Sequence, residues 1–147
     1  NITDLKRSIN GLAVELIAEN IRSVLKGTVK RIKQPIEATY GCQRIPDDGK
    51  IDWGRDSKYI SNLIRASEPS YPAFTFLNSK KLFILEAELV DKTIYYGTIG
   101  QVAMPLKDES VIVITGDGAL KIKKIKMENE SPVTPKTYLN SSKIRLT

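Results

Sequence analysis

Hydrophobic positions recur every three or four residues at the start of the chain and every two residues over its second half. Leu5, Ile9, Leu12 and Leu16, widened by Ala13, Ile17, Val24 and Leu25, form a stripe that predicts an amphipathic helix over residues 3–26. Thr3 or Asp4 suits its N-cap, and Gly27 suits a left-handed end because it has no Cβ to clash. A shorter helix is predicted over 56–66, capped by Asp56 or Ser57, with Tyr59, Ile60, Leu63 and Ile64 on one face and a polar, proline-containing stop over 68–72. The period then changes to two, and β-rich runs follow at 74–77, 82–90, 99–104, 111–115 and 120–127. Five short strands are the number in an OB-type barrel. The expected fold is therefore mainly β with flanking helices: an OB-like Greek-key β-barrel preceded by a long amphipathic helix and a linker.

Turn chemistry refines this picture. Thr115-Gly116-Asp117-Gly118-Ala119 contains the Asp-Gly pair that favours a two-residue type I′ hairpin, where both central residues take positive φ. Beyond it Leu120 and Ile122 alternate with Lys121 and Lys123, and then the phase slips to Ile125 and Met127. A β-bulge at Lys123–Lys124 would keep the apolar side chains inside and gather Lys121, Lys123, Lys124 and Lys126 into one exposed strip. Pro46-Asp47-Asp48-Gly49 predicts a turn in which proline presets φ, the aspartates bond the local backbone and glycine takes positive φ. After a loop at 128–132, a short helix is predicted over 134–141, with Thr134 as cap, Pro135 at its first position and Tyr138 and Leu139 docked on the barrel. Phe74, Phe76 and Phe83 are assigned to the core pattern and Trp53 to the linker. On that assignment no aromatic platform is left for base stacking.

The 147-residue chain carries a net charge of +6 and contains no histidine. Its excess charge sits at the two ends. Between Asn20 and Ile36 lie Arg22, Lys26, Lys30, Arg31 and Lys33 with no acid, and four lysines crowd into residues 121–126. Lys30, Arg31 and Lys33, together with Lys121, Lys123, Lys124 and Lys126, are the candidates for phosphate contacts; a solvated, solubilising face is the plain alternative. Catalytic candidates are absent. Without histidine nothing activates Cys42, which reads as a buried small apolar residue in a reducing cytoplasm, and no zinc site is expected. Adjacent Asp47 and Asp48 in a turn are solvated and make a poor acid–base pair. No apolar run approaches the roughly 20 residues that cross a bilayer, so no membrane partner is expected.

Several of these residues carry a family resemblance. The stretch 44–53, Arg-Ile-Pro-Asp-Asp-Gly-Lys-Ile-Asp-Trp, then Ile64-Arg65-Ala66, Tyr71-Pro72-Ala73-Phe74-Thr75-Phe76 and Thr115-Gly116-Asp117-Gly118, resembles the C-terminal domain of the folate-dependent formyltransferases. The resemblance implies that residues 1–34 are the closing helix of an N-terminal α/β catalytic domain, 35–53 a linker and 54–147 an OB-like C-terminal domain. Two positions depart from the family pattern, which often has a glycine between Pro72 and Ala73 and a proline at Tyr96. Family chemistry needs an Asn, His and Asp set in the N-terminal domain. This chain is accordingly expected to be inactive alone and to bind no cofactor, with formyltetrahydrofolate as donor in the parent enzyme. The implied acceptor is the amine of methionyl-tRNA, for which the family uses this domain as a basic platform, or a nucleotide-linked amino sugar held by the catalytic domain. Two acid-free basic runs exceed what solubility requires and put tRNA first. A free-standing nucleic-acid-binding OB module is the third reading. If the helix of residues 3–26 belongs to an absent domain, its apolar stripe is expected to pack on a partner or a second copy.

Overall fold

The computed structural model describes residues 1–67, 71–91 and 94–147. The chain forms two compact units, Asn1–Arg44 and Ile45–Thr147.

The first unit is helix α1, Ile2–Leu25, followed by an irregular exposed stretch. Its cap is Asn1, earlier than the expected Thr3 or Asp4, and its Oδ1 accepts the Asp4 N–H at 3.1 Å. Asp4 then lies in the first turn, where a carboxylate complements the helix dipole. At the other end Gly27 has φ +71°, its N–H reaches the Val24 carbonyl, and the Thr28 N–H reaches that of Ser23. This pair of bonds is a Schellman end, which a left-handed glycine permits. No residue of α1 is buried, and Leu5 and Leu16 are 54% and 64% exposed. Cys42 is exposed as well, against expectation, because the stretch around it has no helix, strand or core of its own.

The second unit begins before the residues read as its start. Pro46–Gly49 is one turn of 3-10 helix in which the Asp48 carboxylate accepts the Ile45 N–H at 2.8 Å. Gly49 does not take positive φ; it is needed because an added Cβ would lie 2.9 Å from the Pro72 carbonyl oxygen. Ile51 and Trp53, placed by sequence in the linker, are core residues with 1% and 4% exposure. The Trp53 indole N–H donates to Thr75 Oγ1 at 2.9 Å, and the Ile51 N–H donates to the Phe74 carbonyl at 2.7 Å. Helix α2, Ser57–Ala66, is capped by Asp56 and buries Ile60 and Ile64. The stop expected at Glu68, Pro69 and Ser70 falls outside the described residues.

Five antiparallel strands follow: β1 Ala73–Leu77, β2 Lys80–Leu89, β3 Val102–Pro105, β4 Val111–Ile114 and β5 Ala119–Met127. Their order is β1-β2-β5-β4-β3, so the strand before the β3-β4-β5 meander lies beside its last member, a Greek-key connectivity. The sheet is open between β1 and β3. The C-terminal segment occupies that seam: Phe76 and Thr147 exchange backbone bonds of 2.7 and 3.1 Å, and the Leu146 N–H donates to Gly100 O at 2.8 Å. Leu82, Ile84, Val102, Val111, Val113, Leu120, Ile122 and Ile125 fill the interior with α2, Leu139 and Leu146. Ile112, Ile114 and Ala119 make a smaller cluster on the other face of β4, which is why β4 is apolar throughout.

Three local expectations are corrected by packing. Asp117 and Gly118 have no positive φ; β4 and β5 are joined by the four residues 115–118, closed by a bond from Thr115 N–H to Gly118 O. Positive φ instead marks Asn78 (49°) and Ser79 (65°), the two residues that join Leu77 to Lys80 in the β1–β2 hairpin. The tail has a short 3-10 turn, Pro135–Thr137, in place of an eight-residue helix, although Leu139 does dock, fully buried. The bulge expected in β5 is present. Pairing steps from Ile84–Ile125 to Glu86–Lys124 to Ala87–Ile122, leaving Lys123 unopposed on β5 and Leu85 unopposed on β2.

Candidate functional site

Because of that bulge, Leu120, Ile122, Ile125 and Met127 are all buried while the four β5 lysines lie on the opposite face. The lysines are not equivalent. Lys121 Nζ sits 2.7 Å from Asp108, which reaches up from the β3–β4 turn, and Lys123 Nζ lies 2.8 Å from Glu88 and 3.5 Å from Glu86 on β2. These carboxylates cancel the charge that the sequence assigned to phosphate binding. Lys124 and Lys126 have no carboxylate partner among the described residues. Lys30, Arg31 and Lys33 lie in the irregular stretch of the first unit, which carries eight lysines and arginines against four acids. The second unit carries fifteen against thirteen, so most of the excess charge belongs to the first.

The outward face of β1 and β2 holds residues that the sequence reading put elsewhere. Ala73, Thr75 and Leu77 point inward, as do Leu82 and Ile84; Phe74, Phe76 and Phe83 therefore project from the other side, where Phe74 is nonetheless buried at 4% exposure, as its assignment to the core expects, while Phe76 and Phe83 are part-exposed. Phe74 and Phe76 meet edge to face with centroids 5.8 Å apart. Lys81 Nζ lies 4.2 Å from the Phe74 ring centre and Lys50 Nζ 5.5 Å from that of Phe76. Phe83 is the direct cross-strand neighbour of Lys126. For Phe76, alternation out of phase with Thr75 and Leu77 carried this signal, and was hidden by the assumption that a phenylalanine in a strand belongs to the core.

The Thr115–Gly118 loop is a clamp on the start of α2. Asp117 Oδ1 accepts the Ser57 N–H and hydroxyl, both at 2.8 Å, and the Thr115 hydroxyl at 3.1 Å. Gly116 N–H donates to Arg55 O at 3.0 Å. A cavity of about 640 Å3 opens beside this loop, lined also by Lys58, Tyr95 and Tyr96. Ser57, Thr115 and Asp117 line it too, with their side chains bonded to one another. Among the described residues no cluster of three or more metal-ligating side chains occurs, and no helix is long and apolar enough to cross a membrane.

Two carboxylates make this unit acid-sensitive. The Ser57 N–H, followed by the Ser57 hydroxyl, holds Asp117 below its ordinary value of 3.8. A hydrogen bond from Lys121, followed by one from Ser110, lowers Asp108 to about 2. A depressed folded-state pKa gives stability that is present above about 3.8 and lost as pH falls through the folded value. The urea midpoint is therefore expected to drop between pH 4 and pH 2. In the Asp108→Asn/Asp117→Asn double variant the drop over that window should be visibly smaller; an equal drop would place the acid sensitivity elsewhere.

Comparison with known proteins decides the family. The family model described as "Formyl transferase, C-terminal domain" matches residues 44–143. The chain belongs to this family. It aligns with the methionyl-tRNA formyltransferase of Thermodesulfovibrio yellowstonii at 32% identity, over 98% of this chain and 45% of that protein. The methionyl-tRNA formyltransferase of Fusobacterium nucleatum is 31% identical over 94% of this chain and 45% of its own length. This formyltransferase domain thus spans about half the length of the curated relatives it matches. Among solved structures, HypX from Aquifex aeolicus in complex with tetrahydrofolic acid covers 85% of this chain and 22% of its own, with TM-score 0.65 and 21% identity. At that identity the likeness concerns the fold.

Proposed function

We propose that this chain is the non-catalytic, tRNA-carrying part of a formyltransferase that moves a formyl group from formyltetrahydrofolate to the amine of initiator methionyl-tRNA. Two relatives with that activity in their names align over nearly the whole chain, and this similarity is the observation that carries the proposal. The exposed stripe of α1, including Leu5 and Leu16, is then the face that packs on the catalytic α/β domain. Formyl transfer needs a base for the amine proton and groups that polarise the donor. No histidine is present to serve as that base, so the chain alone is expected to transfer no formyl group to any amine.

The test is filter binding of tRNA to the whole chain over a salt series, with a formyl-transfer assay beside it. Binding should weaken steeply with salt, and the Lys30→Gln/Arg31→Gln/Lys33→Gln variant should flatten the slope by up to about one unit per residue that contacts phosphate. An unchanged slope would remove these three from the interface. Formyl transfer by the chain above a no-protein control, or tRNA affinity no greater than that of an unrelated protein of equal charge, would overturn the proposal. The second result would favour a nucleotide amino sugar as acceptor.

A further inference from the structure

We infer that the outward face of β1, β2 and the end of β5 is a binding surface for unpaired nucleotides of an RNA strand, with Lys50, Lys81 and Lys126 on phosphates and Phe76 and Phe83 beneath a base. This rests on the tRNA reading and replaces the β5 strip as its contact surface on the sheet. The decisive distinction is what each lysine already touches. Lys121 and Lys123 spend their charge on Asp108, Glu86 and Glu88, so an incoming phosphate would have to displace an intramolecular partner. Lys50 and Lys81 lie instead over phenylalanine rings, 5.5 and 4.2 Å from the ring centres. A ring holds an ammonium in place without neutralising it, which leaves the full positive charge for an anion.

Cross-strand register puts these groups side by side. Lys50 bridges to Phe74, Phe74 faces Phe83, and Phe83 faces Lys126, while Phe76 faces Lys81 in the next row. Three cations without carboxylate partners among the described residues thus surround two part-exposed rings. Positive groups interleaved with aromatic faces are the chemistry that holds a single strand, since every base has a π face and every nucleotide a phosphate. The other end of the same outer face carries the ion-paired Lys121 and Lys123 and the apolar Ile112–Ile114 cluster.

The experiment measures binding of the whole chain to tRNA, to a single-stranded oligouridylate and to duplex RNA of matched length at several salt concentrations. Wild type should prefer tRNA and the oligouridylate to the duplex. Lys50→Gln/Lys81→Gln/Lys126→Gln should weaken oligouridylate binding at least tenfold and reduce its salt slope by roughly two units, at about 0.7 per phosphate contact on a single strand. Phe76→Leu and Phe83→Leu should each weaken it about tenfold, within the range for loss of one stacked base. Lys121→Gln/Lys123→Gln should change it less than twofold. Thermal melting establishes that each variant is folded, and single Lys81→Gln and Lys126→Gln variants, each with an expected slope loss near 0.7, replace the triple variant if it melts early. Oligouridylate binding that is intact in the Phe76 and Phe83 variants, or lost in Lys121→Gln/Lys123→Gln instead, overturns this surface while leaving the tRNA reading standing. Absence of binding to any of the three RNAs by wild type overturns both.

Discussion

Gly116→Ala is expected to destabilise the Ile45–Thr147 unit by about 3 kcal/mol or more, at the upper end of what overpacking costs. A methyl group built on Gly116 would lie 2.0 Å from the carbonyl oxygen of Gly54, 2.8 Å from its carbon and 3.1 Å from the carbonyl oxygen of Arg55. All three are backbone atoms, so no rotamer change relieves the overlap. Either the 115–118 loop or the Gly54–Arg55 segment has to move. Both movements break the Gly116 N–H bond to Arg55 and pull Asp117 away from Ser57, which would leave the start of α2 without its anchor. Asp117→Asn keeps the glycine and a side-chain acceptor, and should cost only about 1–2 kcal/mol, the worth of a charge-assisted bond. Urea unfolding of the two variants separates steric from electrostatic contributions of the loop. An alanine variant within about 1 kcal/mol of wild type would show that the approach of the two backbones is not a constraint on the fold.

This loop also shows where the sequence was legible and where it was not. Hydrophobic periodicity identified α1, α2 and all five strands to within a few residues, because each buries one face and the burial is written in the spacing. It even located the bulge at Lys123, since Ile122 and Ile125 cannot both point inward without one. The Asp117-Gly118 pair was misread because Asp-Gly favours a type I′ turn locally, whereas here a contact with residues about sixty positions earlier sets the conformation. Asn78 and Ser79 took the positive φ that Asp-Gly was expected to take, a choice that carries no strong sequence mark. The same limit applied to the site. A run of four lysines is visible in one dimension, but Asp108, Glu86 and Glu88 reach it only in three, and Lys50, Lys81 and Lys126 come together only through strand pairing.

The seam between β1 and β3 gives the second large effect. Trp53 is 4% exposed, its indole N–H donates to Thr75 Oγ1 at 2.9 Å, and the Thr75 hydroxyl donates in turn to the carbonyl of Thr147 at 3.0 Å. One aromatic side chain thereby joins the entry segment to β1 and, through Thr75, to the C-terminal residue that bonds to Phe76. Trp53→Ala removes a large buried ring and the donor together, and is expected to cost about 3–5 kcal/mol. Thr75→Val keeps the volume but leaves the indole N–H without its acceptor and Thr147 O without its side-chain donor, for about 1–3 kcal/mol. The order of the two costs matters. If the ring's packing dominates, the alanine variant is clearly the worse; if the hydrogen-bond chain dominates, the two approach each other. We expect packing to dominate, because a buried ring of this size makes many dispersion contacts and the chain only two hydrogen bonds. Thr75→Val allows an internal readout, since Trp53 is the chain's single tryptophan: its emission should stay blue in the folded variant and move red only on unfolding. Limited proteolysis supplies the readout for the seam. The C-terminal segment should become cleavable in Thr75→Val before the core of the sheet does, and simultaneous cleavage of both would mean that the seam does not open as a separate unit.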